Sequence, residues 1–118
     1  MNPAFGSLKA KSKVWMELNG RPVFGDGKAQ LLEAVAETGS LRGAAEQLRM
    51  SYRAAWGRVR EMERRLGRPL VIRRAGGAGG GGSALTPFAR DLLRRFRDFR
   101  RGLNEIVDRR FERFFRSR

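Results

Sequence analysis

The chain contains no cysteine and no histidine. Thiolate and imidazole are thereby removed as metal ligands, as nucleophiles and as bases that titrate near neutral pH. Zinc sites and Cys- or His-based catalysis are excluded, and no cofactor is expected. Long hydrophobic runs are missing too. The first twenty residues lack the apolar stretch of about 7–15 residues of a signal peptide, and nothing approaches the roughly 18 apolar residues of a membrane span. A soluble, cytoplasmic protein is expected. Acidic residues are scarce, 12 against 26 lysines and arginines, which leaves a formal charge of +14. Such an excess gathers polyanions. Nucleic acid is the leading partner, an anionic membrane surface the runner-up, and a merely basic protein from an arginine-rich proteome the plain alternative. At 118 residues the chain suffices for one domain with its own core.

Residues 1–12 form a flexible basic lead, and 13–118 read as a single domain. In KVWMELNGRPVF, Val14, Met16 and Leu18 alternate with Lys13, Trp15 and Glu17. Asn19-Gly20 then signals a tight hairpin, because both positions tolerate positive φ. Arg21 to Phe24 is the return strand, with Pro22 acceptable on an edge. From Asp26, an N-cap candidate, the period becomes helical, with Leu31, Leu32, Val35 and Ala36 on one face and Gly39 past the end. Ser40 caps a short second helix carrying Leu41, Ala44, Ala45 and Leu48. After a turn of about three residues Ser51 caps a third, with Ala55, Val59, Met62 and Leu66 inward and Gly67 as the stop. Small residues in a short middle helix permit the steep crossing of a helix-turn-helix; a plain helical hairpin is the alternative.

At roughly 100° per residue the face opposite Ala55, Val59 and Met62 carries Arg53, Gly57, Arg60 and Arg64. A solvated face with Glu61 and Glu63 as ion-pair partners would account for these arginines. Their place just after an N-cap that follows a tight turn is, however, where a recognition helix enters the major groove. Arg53 is placed for a bidentate contact to guanine. Tyr52 and Trp56 sit at the boundary of the two faces. Gly57 costs roughly 1 kcal/mol relative to alanine, offset by close approach of a groove wall or else reflecting drift at an exposed position.

The segment VIRRAGGAGGGGSALTP, with six glycines, reads by composition as a linker. Its flanks say otherwise. Leu70 to Arg74 is β-prone with Leu70 and Ile72 pointing to one side, Ser83 to Thr86 returns with Leu85 inward, and Thr86-Pro87 starts another helix. Two strands around a loop, directly after a helix-turn-helix, make a wing. The run from Leu31 to Leu93 resembles the N-terminal winged-helix domain of ModE-type molybdate-responsive transcription regulators, and more distantly the LysR-type DNA-binding domain. The resemblance is carried by GSLRGAAEQLRMSYRAAW, EMERRLGRPLV and GGAGGGGSALTPFARDLL. It implies a prokaryotic, nucleoid-associated regulator that binds operator DNA as a dimer, with the Ser51 helix in the major groove and the wing near the backbone. Ser51, Tyr52, Arg53 and Trp56 fall on the family's recognition helix, and Arg73 and Arg74 on its wing. Members carry C-terminal oxyanion-binding domains that this chain is expected to lack. Ala78 stands where the family pattern often has a lysine; the tip either meets phosphate through its amides or only flexes.

From Pro87 to about Arg116 the pattern is helical, and Leu92, Phe96, Phe99, Leu103 and Ile106 recur at spacings of 4 and 3, followed by a seam of Val107, Phe111 and Phe114. A helix of about 45 Å outruns so small a domain. Its far half is expected to pair with a second subunit; an amphipathic helix on a membrane is the rival. The expectation is thus a mainly α protein with small β elements, a winged helix-turn-helix with an N-terminal β-hairpin and a long C-terminal dimerisation helix spanning 87–116. It binds double-stranded DNA sequence-specifically as a homodimeric transcription regulator, with no catalytic role, no membrane contact and no small-molecule site in this chain. A sequence-tolerant architectural DNA binder is the alternative. Tyr52, Arg53, Trp56 and Arg60 are expected in the groove; Ser40, Arg42, Ser51, Arg73 and Arg74 on phosphates; Leu92, Phe96, Phe99, Leu103, Ile106 and Phe114 in the dimer seam. The acids Asp91, Asp98, Glu105 and Asp108 read as ion-pair partners for neighbouring arginines.

Overall fold

The computed structural model describes residues 3–77 and 80–116. Ala78 therefore lies outside the described residues. The chain runs α1 (Pro3–Gly6), β1 (Trp15–Leu18), β2 (Arg21–Gly25), α2 (Asp26–Thr38), α3 (Leu41–Gln47), α4 (Tyr52–Leu66), β3 (Val71–Gly77), β4 (Gly80–Leu85) and α5 (Pro87–Phe111), then a wide π-helical turn over Glu112–Arg116. The strands form two separate antiparallel pairs, β1 with β2 and β3 with β4.

The first hairpin turns at Asn19 (φ 53°) and Gly20 (φ 79°), the two positive values that a tight primed turn needs. Val14 and Met16 pack on the core. Leu18, expected inward with them, is half exposed, because the hairpin extends past the helices that would cover it. Asp26 is not the N-cap of α2. Gly25 occupies that position without a side-chain bond, and Asp26 is the first helical residue. Its carboxylate accepts from Val14 N at 3.1 Å and from Arg100 Nε at 2.8 Å, so it joins hairpin and α5 while standing at the end of α2 that favours negative charge. On α2, Leu31, Leu32 and Val35 are buried as expected, but Ala36 is exposed and Ala34, on the opposite flank of that face, is buried.

Ser40 and Ser51 do cap α3 and α4: their hydroxyls accept from Gly43 N at 2.8 Å and Ala54 N at 3.0 Å. Between these helices Arg49 adopts φ 57°, and Met50 N reaches back to Ala45 O, closing α3 in a left-handed C-terminal turn. Ala44, Ala45 and Ala55 are buried where the helices meet. Gly67 (φ 72°) ends α4.

In the wing Val71 pairs with Leu85 and Arg74 with Gly82, so residues of the glycine run hydrogen-bond as strand. Leu70 is buried ahead of β3 and Val71 turns inward, which leaves Ile72 half exposed rather than on Leu70's side; alternation begins where the strand begins. Thr86 anchors the wing's exit. It donates to Pro69 O at 2.8 Å, accepts from Ala89 N and starts α5 at Pro87. The core gathers Phe24, Leu31, Leu32, Val35, Leu41, Val59, Met62 and Leu70, and α5 closes it with Leu93 and Phe96. Phe96 meets Phe24 edge to face at 5.2 Å. Phe96, placed by its spacing in the dimer seam, is thus part of the protomer's own core, and Leu92 packs against that core too.

The far end of α5 is partly covered by the chain itself. Within the lead, α1 returns so that Phe5 meets Phe115 at 5.5 Å, Phe111 stacks on Phe115 at 5.0 Å, and Arg116 donates to Leu8 O.

Candidate nucleic-acid interface

Helix α4 presents three sectors besides its buried one. The sector facing away from the core carries Arg53, Gly57, Arg60 and Arg64, all exposed. One flank, with Tyr52, Trp56 and Glu63, turns to the wing; the other, with Ala54, Arg58, Glu61 and Arg65, turns to the first hairpin. Packing fixes both flanks. Glu63 accepts from Leu70 N at 2.8 Å and Val71 N at 3.3 Å, so it fastens the entry of β3 to α4 instead of pairing with an arginine. Arg65 donates to Pro22 O at 2.6 Å and lies 3.6 Å from Glu61. Glu61 thus pairs with Arg65 on the flank, and neither acid is ion-paired to Arg53, Arg60 or Arg64 among the described residues.

On the wing flank a ladder of cations and rings forms. The Arg42 guanidinium lies 4.3 Å above Tyr52, Tyr52 meets Trp56 edge to face at 6.4 Å, and Arg60 and Arg73 lie 4.8 and 5.7 Å from the Trp56 ring. Each stack holds a planar guanidinium on a π face while its N–H fork stays free for other acceptors. The indole nitrogen of Trp56 is buried and has no hydrogen-bond partner among the described residues. Trp56 therefore presents a stacking surface, not a donor, to anything approaching α4.

The wing is seated on the end of α2. The Gly39 carbonyl accepts from Ser83 N at 3.0 Å and from Arg74 Nη2 at 3.2 Å. Ser40, Tyr52, Arg73, Arg74, Gly82 and Ser83 line one small recess of about 220 Å³. The groove residues and phosphate residues expected from the sequence are thus contiguous: Tyr52, Arg53 and Arg60 on α4, Arg42 against Tyr52, Ser40 and Ser51 at the helix starts, Arg73 and Arg74 on β3. The seam residues separate. Phe99, Ile106 and Phe114 are exposed and Leu103 half-buried, whereas Phe96 is internal. Of the acids on α5, Asp91 pairs with Arg94 and Arg95, and Asp98 with Arg101. The guanidiniums beside Asp91, Arg95 foremost, hold its carboxyl below the usual range.

Arg58 and Lys28, on the hairpin side of α4, were not singled out from the sequence. The helical wheel alone puts Arg58 beside the arginine face, but only the hairpin's position shows that a basic surface continues there.

Three helices, a steep turn before an exposed arginine face and a β-wing on its flank define a winged helix-turn-helix module. Residues 28–90 match the model of the bacterial regulatory helix-turn-helix protein, lysR family, and the chain belongs to that family. It is 38% identical over 88 residues to the molybdenum transport protein ModE of Azotobacter vinelandii, covering 75% of this chain and 33% of that protein. To the molybdenum-pterin-binding protein MopB of Rhodobacter capsulatus it is 35% identical over 83 residues, 70% of this chain and 31% of the other. Among solved structures, ArgP from Mycobacterium tuberculosis superposes with a TM-score of 0.52 at 28% identity, over 67% of this chain and 28% of that one. The chain spans about a third of the length of the curated relatives it matches. No helix among the described residues is long and apolar enough to cross a membrane.

Proposed function

We propose that the chain reads double-stranded DNA sequence-specifically, as a homodimer, in a transcription regulator of molybdenum-related genes. The observation that carries this reading is the exposed face of Arg53, Gly57, Arg60 and Arg64 on a helix whose opposite face is locked into the core of a winged helix-turn-helix. A helix about 10–12 Å across fits a major groove about 12 Å wide. Arg53, near its start, takes a base edge with Tyr52 and Arg60 beside it. Trp56 serves as the platform on which Arg60 and Arg73 rest. Ser40, Ser51, Arg42, Arg73 and Arg74 take phosphates: each serine hydroxyl accepts the capping amide and keeps its own hydrogen to donate. Similarity to proteins named for molybdenum transport and molybdenum-pterin binding supports the physiological part.

Genome-wide capture of bound DNA, with and without added molybdate, tests the reading. A recurrent motif near molybdate-transport or molybdoenzyme genes is the expected result. A motif elsewhere discards the molybdenum role. Binding of all duplexes within a few-fold, where a regulator prefers its operator by roughly 10³ or more, discards sequence specificity as well.

A further inference from the structure

A cleft of about 760 Å³ lies on the hairpin flank of α4, opposite the wing, and is lined by Lys13, Trp15, Lys28, Gly57, Arg58 and Glu61 among others. Its charges are unequally committed. Asp26 is held by Arg100 at 2.8 and 3.1 Å, and Glu61 lies 3.6 Å from Arg65. Lys13, Lys28 and Arg58 make no hydrogen bond or ion pair among the described residues. The cleft therefore offers Lys28 and Arg58 without an ion-pair partner among the described residues, and Lys13 beside an Asp26 already held by Arg100, next to an exposed tryptophan face.

We infer that this cleft is a second backbone-binding surface, in which Lys13, Lys28 and Arg58 grip the sugar-phosphate strand on the side of the major groove away from the wing. The inference rests on the assignment of α4 as the groove-reading helix. A helix that fills the groove turns its two flanks to the two phosphate strands that wall it. The wing flank meets one strand with Arg42, Arg73 and Arg74. The hairpin flank meets the other, and there Lys28 and Arg58 carry no ion pair among the described residues while Lys13 shares the Asp26 carboxylate with Arg100. Gly57 lies at the border between arginine face and cleft, with open space where a side chain would begin, so the strand can come close to the helix backbone there. The N-terminal hairpin thus acts as a second wing, and binding is clamped from both sides.

The chain's lysines make a direct test possible, since they are Lys9, Lys11, Lys13 and Lys28. Two line the cleft and two lie in the lead. The full chain is treated with an amine-acylating reagent, alone and saturated with a duplex of about 20 base pairs, and each lysine's modification is read by mass spectrometry. Duplex is expected to protect Lys13 and Lys28 at least several-fold while Lys9 and Lys11 stay reactive. Equal protection of all the lysines, or reactive Lys13 and Lys28 on bound duplex, overturns the inference. So does protection of the pair by poly-glutamate in place of duplex when bound duplex gives none, which marks a docking site for acidic protein. A second measurement compares salt dependence. The variant K13Q/K28Q/R58Q is expected to lose about 0.9 from the slope of log affinity against log salt for each phosphate contact removed. K9Q/K11Q/R109Q, with the same change in charge, should lose less than half as much; equal losses overturn the inference. If wing variant R73A lowers the slope but the cleft variant does not, the clamp fails and the groove-reading assignment stands. If the wild-type chain binds no duplex, it is that assignment that has failed.

Discussion

Gly57 stands where the exposed arginine face meets the cleft, midway along α4, with open space where its side chain would begin. Nothing in the protein asks for glycine there, and in a helix it costs about 1 kcal/mol relative to alanine. Gly57→Ala is therefore expected to raise the urea midpoint, by about 1 kcal/mol of stability, and to weaken duplex binding as the added methyl meets the groove. Higher stability with unchanged affinity would assign the glycine to drift. On the proposed reading, Arg53 and Arg73 divide by role. Arg53 is exposed near the start of α4 with no hydrogen bond or ion pair among the described residues, so Arg53→Ala should cost about 1–3 kcal/mol on the preferred site and relax base preference. Arg73 rests on Trp56 at the wing, and Arg73→Ala should weaken specific and random duplexes alike and reduce the salt slope by about 1. Titrations of both variants on the two kinds of duplex check this; parallel losses would remove the division between base and phosphate contacts.

The elements are held in place by a few polar ties that reach across the chain. The wing sits on the left-handed end of α2, where the Gly39 carbonyl receives Ser83 N and Arg74. A Cβ at Gly82 would lie 2.6 Å from that oxygen and 2.9 Å from Arg74 Nη2. Gly82→Ala is expected to lift β4 from α2 at a cost of about 1–3 kcal/mol for the bonds lost. Amide exchange at Ser83 should then quicken while the amides of α4 keep their protection. The second tie is Asp26 with Arg100, Val14 and, through Arg100, Ser12. Burial alone would raise the Asp26 carboxyl. The bonds from Arg100 and Val14 and the charges of Arg100 and Lys13 outweigh it and hold it below its usual value. Stability from this tie is complete at neutral pH and is lost as pH falls through the depressed value, below about 4. The stability gap between wild type and Asp26→Asn should be full near neutrality and close on acidification; a gap that is constant with pH would show the carboxylate's charge to be irrelevant. Asp26 also marks the limit of sequence reading. Caps at Ser40, Ser51 and Thr86, stops at Gly39 and Gly67 and the Asn19-Gly20 turn are local chemistry and were legible, as was the arginine face. The partners of Asp26 and Glu63 were not, since Arg100 is 74 residues away and Leu70 becomes a neighbour only once α4 and the wing have packed.

Taken whole, the protein measures 61 × 33 × 22 Å with a radius of gyration of 18.1 Å, against about 13–14 Å for a compact domain of its length. The excess comes from α5, whose first three turns close the core through Leu93 and Phe96 while the rest projects. Periodicity could not separate those two parts, because a residue that faces its own core and one that faces a partner recur at the same spacing. Packing separates them. Phe99, Ile106 and Phe114 are 51, 47 and 61% exposed, too much apolar surface on one projecting helix to be left in water at little cost. Two copies joined along this stretch would bury it and hold two recognition helices at the spacing of successive major grooves, about 34 Å. Phe99→Glu with Ile106→Glu is accordingly expected to turn dimer into monomer in sedimentation, with the protomer still folded and helical and its melting no longer dependent on concentration, because both side chains are about half exposed and only Phe99 touches the edge of the core, at Phe96. The same variant should bind a single half-site as before but lose the tighter binding of a paired site, since each half must now be held independently. Phe96→Ala, on the same apparent seam, should instead cost about 3–5 kcal/mol and unfold the protomer. A double variant that stays dimeric, or that loses half-site and paired-site binding together, would place the subunit contact elsewhere.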